Sequence, residues 1–201
     1  MNCCRETTKS GGPRAMQFVG KHYNKVAHME NSPEKKTAIE KAGEDLFNFA
    51  VDREDVKGLV ANMSEEAHLQ GVTVEYELQI LKIISVGWSI AYYLEKGPQK
   101  TQLAEFYWQA VQQFAKSIST STGLVTGDEI DYFQILKDRL DMYLEALAEN
   151  PYVSQPVSVI GPEFARTCGN VDDAFTALTG AKMFSATIGS VKEYLETMEL
   201  R

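Results

Sequence analysis

Apolar side chains return every three or four positions along most of this chain, the spacing of one face of an α-helix. Met16, Val19, Tyr23 and Val26 set this rhythm first and predict a helix from Arg14, with Lys21, Lys25 and His28 off the stripe. Asn31-Ser32-Pro33-Glu34 has the chemistry of a helix start. Ser32 can accept backbone N–H bonds, Pro33 has no N–H to leave orphaned, and Glu34 meets the positive end of the helix dipole. Ile39, Ala42, Leu46, Phe49 and Ala50 then share a face, and a shorter piece from Asp55 to Met63 turns Val56, Leu59 and Val60 inward. Ser64, with Glu65 and Glu66 behind it, predicts another start, which Gly71 breaks.

The middle of the chain has two periods in competition. Val72, Val74, Tyr76, Leu78 and Ile80 alternate as a strand would. Leu81, Ile84, Trp88, Ala91 and Leu94 continue the run at helical spacing, and the whole is too long for an ordinary strand. The prediction is a helix over about residues 73–96, apolar nearly all round and therefore central, ended by Gly97-Pro98. Leu103, Phe106, Ala110, Phe114 and Ile118 form the next stripe, widened by Tyr107 and Val111. Ser119 to Gly127 reads as a loop of small polar residues, and Thr126 to Glu129 as a capping box.

The helix after that box buries Ile130, Phe133, Leu136, Leu140, Tyr143, Leu144 and Leu147 and stops before Asn150-Pro151. A short helix from Pro162 to Thr167 follows an irregular stretch, and Asn170 caps the last helix. Val171, Ala174, Leu178, Ala181, Ile188, Val191, Leu195 and Met198 make its expected buried face. Gly180 and Gly189 each cost that helix about 1 kcal/mol relative to Ala, and they suit the close approach of a neighbour. The fold expected is all-α: a flexible tail over residues 1–13, then a single-domain bundle of about six or seven helices over 14–201, around the central one. The stretch Ala104 to Ala110 resembles one helix of a tetratricopeptide repeat, but the pattern does not recur at a fixed period, as an array requires.

A chain of 201 residues can bury roughly 70% of its unfolded surface, so its core needs no disulfide or metal. A net charge of −8 and a pI near 5.0 argue against a general nucleic-acid binder. The charge is uneven: residues 1–36 carry +4 and the remainder −12. A basic arm on an acidic body can meet an anionic surface or its own body. Cys3, Cys4 and Cys168 are no disulfide framework, which points to a reducing, cytoplasmic setting. The opening residues lack the apolar core of a signal peptide, and the longest charge-free run in the apolar middle, Ile83 to Leu94, is too short to cross a bilayer.

Few residues present recognisable chemistry. Glu65 and His68 stand one helical turn apart, a spacing that lets both reach one metal, but a di-iron bundle needs a second such pair. Cys168 follows Arg166, which could lower its pKa, but no histidine is near in sequence to act as its base. Phosphate-binding glycine loops, serine-nucleophile elbows and calcium loops are missing from the sequence, so no cofactor or metal is expected. Cys3 and Cys4 ahead of a basic amphipathic segment would form a membrane anchor if both were acylated.

Aromatic residues give the strongest functional colour. Eleven of the 20 fall between Tyr76 and Tyr143, and the neighbours Tyr92-Tyr93 and Phe106-Tyr107-Trp108 cannot all face one core. Trp88, Tyr92, Tyr93, Tyr107 and Trp108 are the candidate interaction or ligand-binding residues. The leading expectation is a non-catalytic helical protein that acts by binding another protein or itself. One alternative is a binder of a hydrophobic small molecule between the central helix and the Leu103–Ile118 helix. Another is an enzyme using Cys168 or the Glu65/His68 pair.

Overall fold

The computed structural model describes residues 36–63 and 71–199. The expected tail, the helix from Arg14, the Ser32 and Ser64 starts, and Cys3, Cys4, Glu65 and His68 lie outside the described residues. Among the described residues there are seven helices and no strand. They are α1 (Ala38–Val51), α2 (Glu54–Ala61), α3 (Gly71–Tyr93), α4 (Pro98–Thr126), α5 (Tyr132–Glu149), α6 (Val157–Thr167) and α7 (Ala174–Thr197).

The competition between periods in the middle of the chain resolves as a helix. Residues 72–80 form the first turns of α3, whose buried positions run on all sides from Val74 to Ile90. No single face of α3 is solvent-facing along its length, because α1, α2, α4, α5 and α7 all pack against it. Four of the polar side chains caught inside find partners. Ser85 and Ser89 donate to the carbonyls of Leu81 and Ser85, both at 2.7 Å. Lys82, 1% exposed, donates to Asp55 Oδ2 at 2.9 Å and to the Asp52 carbonyl at 3.0 Å, with its ammonium 4.4 Å from the Phe49 ring centroid. Glu77 accepts two bonds from Arg139 on α5, from Nε at 2.9 Å and from Nη2 at 2.8 Å.

Helix boundaries follow capping chemistry more closely than hydrophobic spacing. Thr37 and Glu40 form the capping box that opens α1, with the Glu40 N–H donating to Thr37 Oγ1 at 3.2 Å and the Thr37 N–H donating to Glu40 Oε2 at 2.7 Å. α3 stops at Tyr93, four residues short of Gly97-Pro98, and that pair opens α4 instead. Lys100 donates to the freed carbonyls of Ala91 and Leu94, a cation at the negative end of α3.

The expected loop over Ser119 to Gly127 is helix as far as Thr126. Ser119, Thr120 and Thr126 turn their hydroxyls back onto carbonyls four residues earlier, at 2.9, 2.9 and 3.0 Å, so their polarity is satisfied within the helix. Gly127, at φ +79°, supplies the left-handed residue that ends α4. The Thr126 capping box does not form: Asp131 caps α5, accepting from the N–H groups of Phe133 and Gln134. α6 starts at Val157, five residues before its expected start, and holds Pro162 inside it. Asp173 rather than Asn170 caps α7, and Asn170 steadies that carboxylate from Nδ2 at 3.0 Å.

The faces of two helices are turned in part from their expected positions, though Leu103, Tyr107, Val111, Val191 and Leu195 are buried as expected. On α4 the buried line is Leu103, Tyr107, Val111 and Ala115, with Phe106 40% exposed. On α7 it is Thr176, Thr179, Gly180, Met183, Phe184, Thr187, Val191 and Leu195. Val171, Phe175 and Leu178 are more than half exposed. Small and hydroxyl-bearing residues are inside because α6 approaches too closely for larger ones. A Cβ added to Gly161 would lie 2.7 Å from the Ala177 carbonyl oxygen, and one on Gly180 would strike Phe164. Gly189, with nothing within 4 Å, makes no such approach.

Candidate functional site

Where α3, α4 and α5 meet the end of α1, the packing leaves a cavity of about 340 Å³. α3 contributes Val72, Glu75, Tyr76, Gln79, Ile80 and Ile83; α4 contributes Phe114, Ala115 and Ile118; α5 contributes Tyr132 and Leu136. Val51 and Arg53 close it from the end of α1 and the residues after it. The volume falls inside the range of about 300–1,000 Å³ typical of small-molecule sites. The walls are apolar save for a few groups whose positions are fixed.

The wall of α3 follows from helical spacing, because residues 72, 75, 76, 79, 80 and 83 recur at threes and fours and share one side. Tyr76 and Tyr132 meet edge to face with centroids 6.2 Å apart and planes at 66°. Burial, reinforced by the Glu77 carboxylate, pushes the Tyr76 phenol up to about 12, so it stays neutral at ordinary pH. Arg53 and Glu75 pair with each other among the lining residues, so neither presents an uncompensated charge.

Gln79 is the polar exception in the wall. Its Nε2 donates to the Ala50 carbonyl at 2.6 Å, using one of the acceptors left over in the last turn of α1. That bond fixes which end of the amide is which, because the opposite orientation would set two oxygens against each other. The remaining oxygen, Oε1, is buried and has no hydrogen-bond partner among the described residues. A buried acceptor left in this state costs about 1–3 kcal/mol.

None of the five residues singled out by aromatic clustering lines this cavity. Trp88, Tyr92 and Tyr93 are brought together near the end of α3. Trp88 stacks on Tyr92 at 5.3 Å and leans on Phe184 of α7 at 5.5 Å, while Tyr92 meets Tyr93 edge-on at 5.1 Å. Tyr92 is 67% exposed. Beneath Trp88 is a void of about 20 Å³ lined by Leu81, Ile84, Tyr143 and Phe184, room for one water at most. Tyr107 and Trp108 are elsewhere and serve packing. Tyr107 is fully buried and donates to the Ile83 carbonyl at 2.7 Å; burial alone holds its phenol well above the usual range. Trp108 lies against Gly87, where an added Cβ would meet its ring at 2.3 Å.

The cavity's own residues left fainter marks in the sequence. Phe114 and Ile118 are on the α4 stripe, and Tyr76 belongs to the aromatic-rich region. Gln79 has a sharper signal: a lone uncharged amide inside the otherwise greasy run from Leu78 to Leu81. A polar residue at such a position needs a partner.

Cys168 is a buried free thiol, 5% exposed. Its pKa is pushed up to about 12, first by burial and then by the Glu77 carboxylate, with Arg139 acting in the opposite sense. The lowering expected from Arg166 does not arise, since that guanidinium is engaged with Glu163. Among the described residues no group of three His, Cys, Asp or Glu side chains could hold a metal ion, and no helix is long and apolar enough to cross a membrane. No family model matches the chain, and neither does any curated protein or solved structure.

Proposed function

We propose that this protein binds a small apolar molecule in the cavity between α3, α4 and α5 and carries out no chemistry on it. The cavity itself supports this reading: about 340 Å³ of space between rings and aliphatic side chains, beside the buried apolar core. A dry apolar cavity of about 150 Å³ already holds a benzene-sized molecule. The walls offer a ligand shape and contact, with the neutral Tyr76 phenol and a self-paired Arg53 and Glu75 in place of a nucleophile or base. Cys168, as a free thiol, agrees with a reducing, cytoplasmic setting.

Titration with toluene, naphthalene and benzothiophene, followed by ¹⁵N–¹H NMR, tests the proposal. Shifts should concentrate at Val72, Gln79, Ile83, Ala115 and Ile118. Changes spread evenly over the surface, or none with all three probes, would sink it.

A second reading, association with another protein or a second copy, is favoured by the outward face of α7. Phe175 and Leu178 are 65% and 51% exposed on its first turns, and Val171 in the turn before it is 65% exposed. Light scattering on the Phe175→Glu/Leu178→Glu variant distinguishes it: a wild-type oligomer that the variant loses supports this reading, and a monomer in both cases opposes it.

A further inference from the structure

We infer that the cavity selects neutral molecules that bring one N–H or O–H donor to Gln79 Oε1, in preference to carboxylates and to purely apolar isosteres; this rests on the binding proposal above. The amide is held in one orientation by its 2.6 Å bond to the Ala50 carbonyl, so the side that is left is an acceptor only. Gln79 belongs to the lining, and its Oε1 is buried with no group among the described residues to satisfy it. Oε1 is covered by its neighbours, so a ligand's donor has to displace lining side chains to reach it.

The preference follows from what each ligand does to that oxygen. A donor converts a costly orphan into a bond within a low-dielectric site. An apolar isostere leaves the orphan as it is. A carboxylate presents oxygen to oxygen and must also shed its hydration, while Arg53, the guanidinium among the lining residues, is engaged with Glu75. Sites built around a hydrogen bond discriminate far more sharply against analogues lacking it than apolar pockets do by shape alone.

The test uses the full chain, with indole and benzothiophene, bicyclic rings of matched shape that differ in carrying or lacking an N–H. Indole-2-carboxylate is the third probe. By calorimetry or NMR titration, indole should bind roughly tenfold tighter than benzothiophene or more, and indole-2-carboxylate weakest. In Gln79→Met, with its fold checked by circular dichroism, the gap between indole and benzothiophene should close, while benzothiophene binds at least as well as to the wild type. Equal binding of the two rings to the wild type overturns the inference and leaves the pocket standing. Failure of indole and benzothiophene alike to bind overturns the pocket reading and this inference with it. A gap that persists in Gln79→Met assigns the donor to another acceptor and also overturns it.

Discussion

Gly180 of α7 lies so close to Phe164 of α6 that a Cβ there would fall 2.5 Å from two ring carbons and 2.6 Å from the Phe164 Cβ. The ring could swing away, but its own Cβ is fixed to the backbone, so the helices themselves would have to separate. Gly180→Ala should therefore destabilise by about 1–3 kcal/mol, even though Ala is the better helix former by about 1 kcal/mol. Gly189 on the same helix has nothing within 4 Å. Gly189→Ala should stabilise by about 0.5–1 kcal/mol. Urea unfolding of both variants measures the two changes, and matching signs would refute the close-packing account.

The same contact explains what was and was not legible in the sequence. Spacing of three and four located α3 correctly, because a helix buried all round is recognised by length and greasiness and needs no chosen face. It misplaced the start of the α7 face, where Leu178 looks outward and Thr176, Thr179 and Gly180 look in, while Val191 and Leu195 are buried as expected. Hydrophobic pattern assumes that the largest apolar residues are inside. The helix crossing here admits only small ones, which depends on tertiary geometry. Ser119 to Thr126 was misread for a related reason: hydroxyls that favour loops can also bond back within a helix. The cavity was harder still. It is a mismatch between three helices whose lining residues are scattered from 72 to 136, and Gln79 gave its sharpest local sign.

Cys168 illustrates a titration that opposes alkali. Its native pKa, raised to about 12, stands above the ordinary thiol value of 9.0. The unfolded chain therefore loses this proton first. The stability the neutral buried thiol contributes is whole below pH 9 and drains away as pH climbs through the native value. Comparing wild type with Cys168→Ala by urea midpoint at pH 7 and pH 10.5 isolates this from the tyrosines, which both proteins share. The difference between them should narrow or reverse at the higher pH. In a Cys3→Ser/Cys4→Ser background, Cys168 should resist a thiol reagent at pH 7.5 until the chain is denatured. Prompt labelling of the folded protein would contradict the burial.

Glu77 and Arg139 should be unequal partners. The carboxylate is on the central helix with its side chain 4% exposed, whereas the Arg139 side chain is 30% exposed and can still reach water. Removing the guanidinium strands a buried anion, a loss of about 3–5 kcal/mol when one member of a buried pair is deleted. Removing the carboxylate strands a cation that solvent can partly serve, so Glu77→Met should cost clearly less than Arg139→Met. Replacing both leaves apolar stems and no orphaned charge, and continuum reasoning makes such an exchange close to neutral. The Glu77→Met/Arg139→Met protein should thus be more stable than Arg139→Met alone, an ordering that additive contributions cannot give. Guanidinium unfolding at pH 7, with a common slope across the four proteins, supplies the cycle. Single variants of equal cost that sum in the double would mean that the pair stabilises the fold no more than two unrelated side chains.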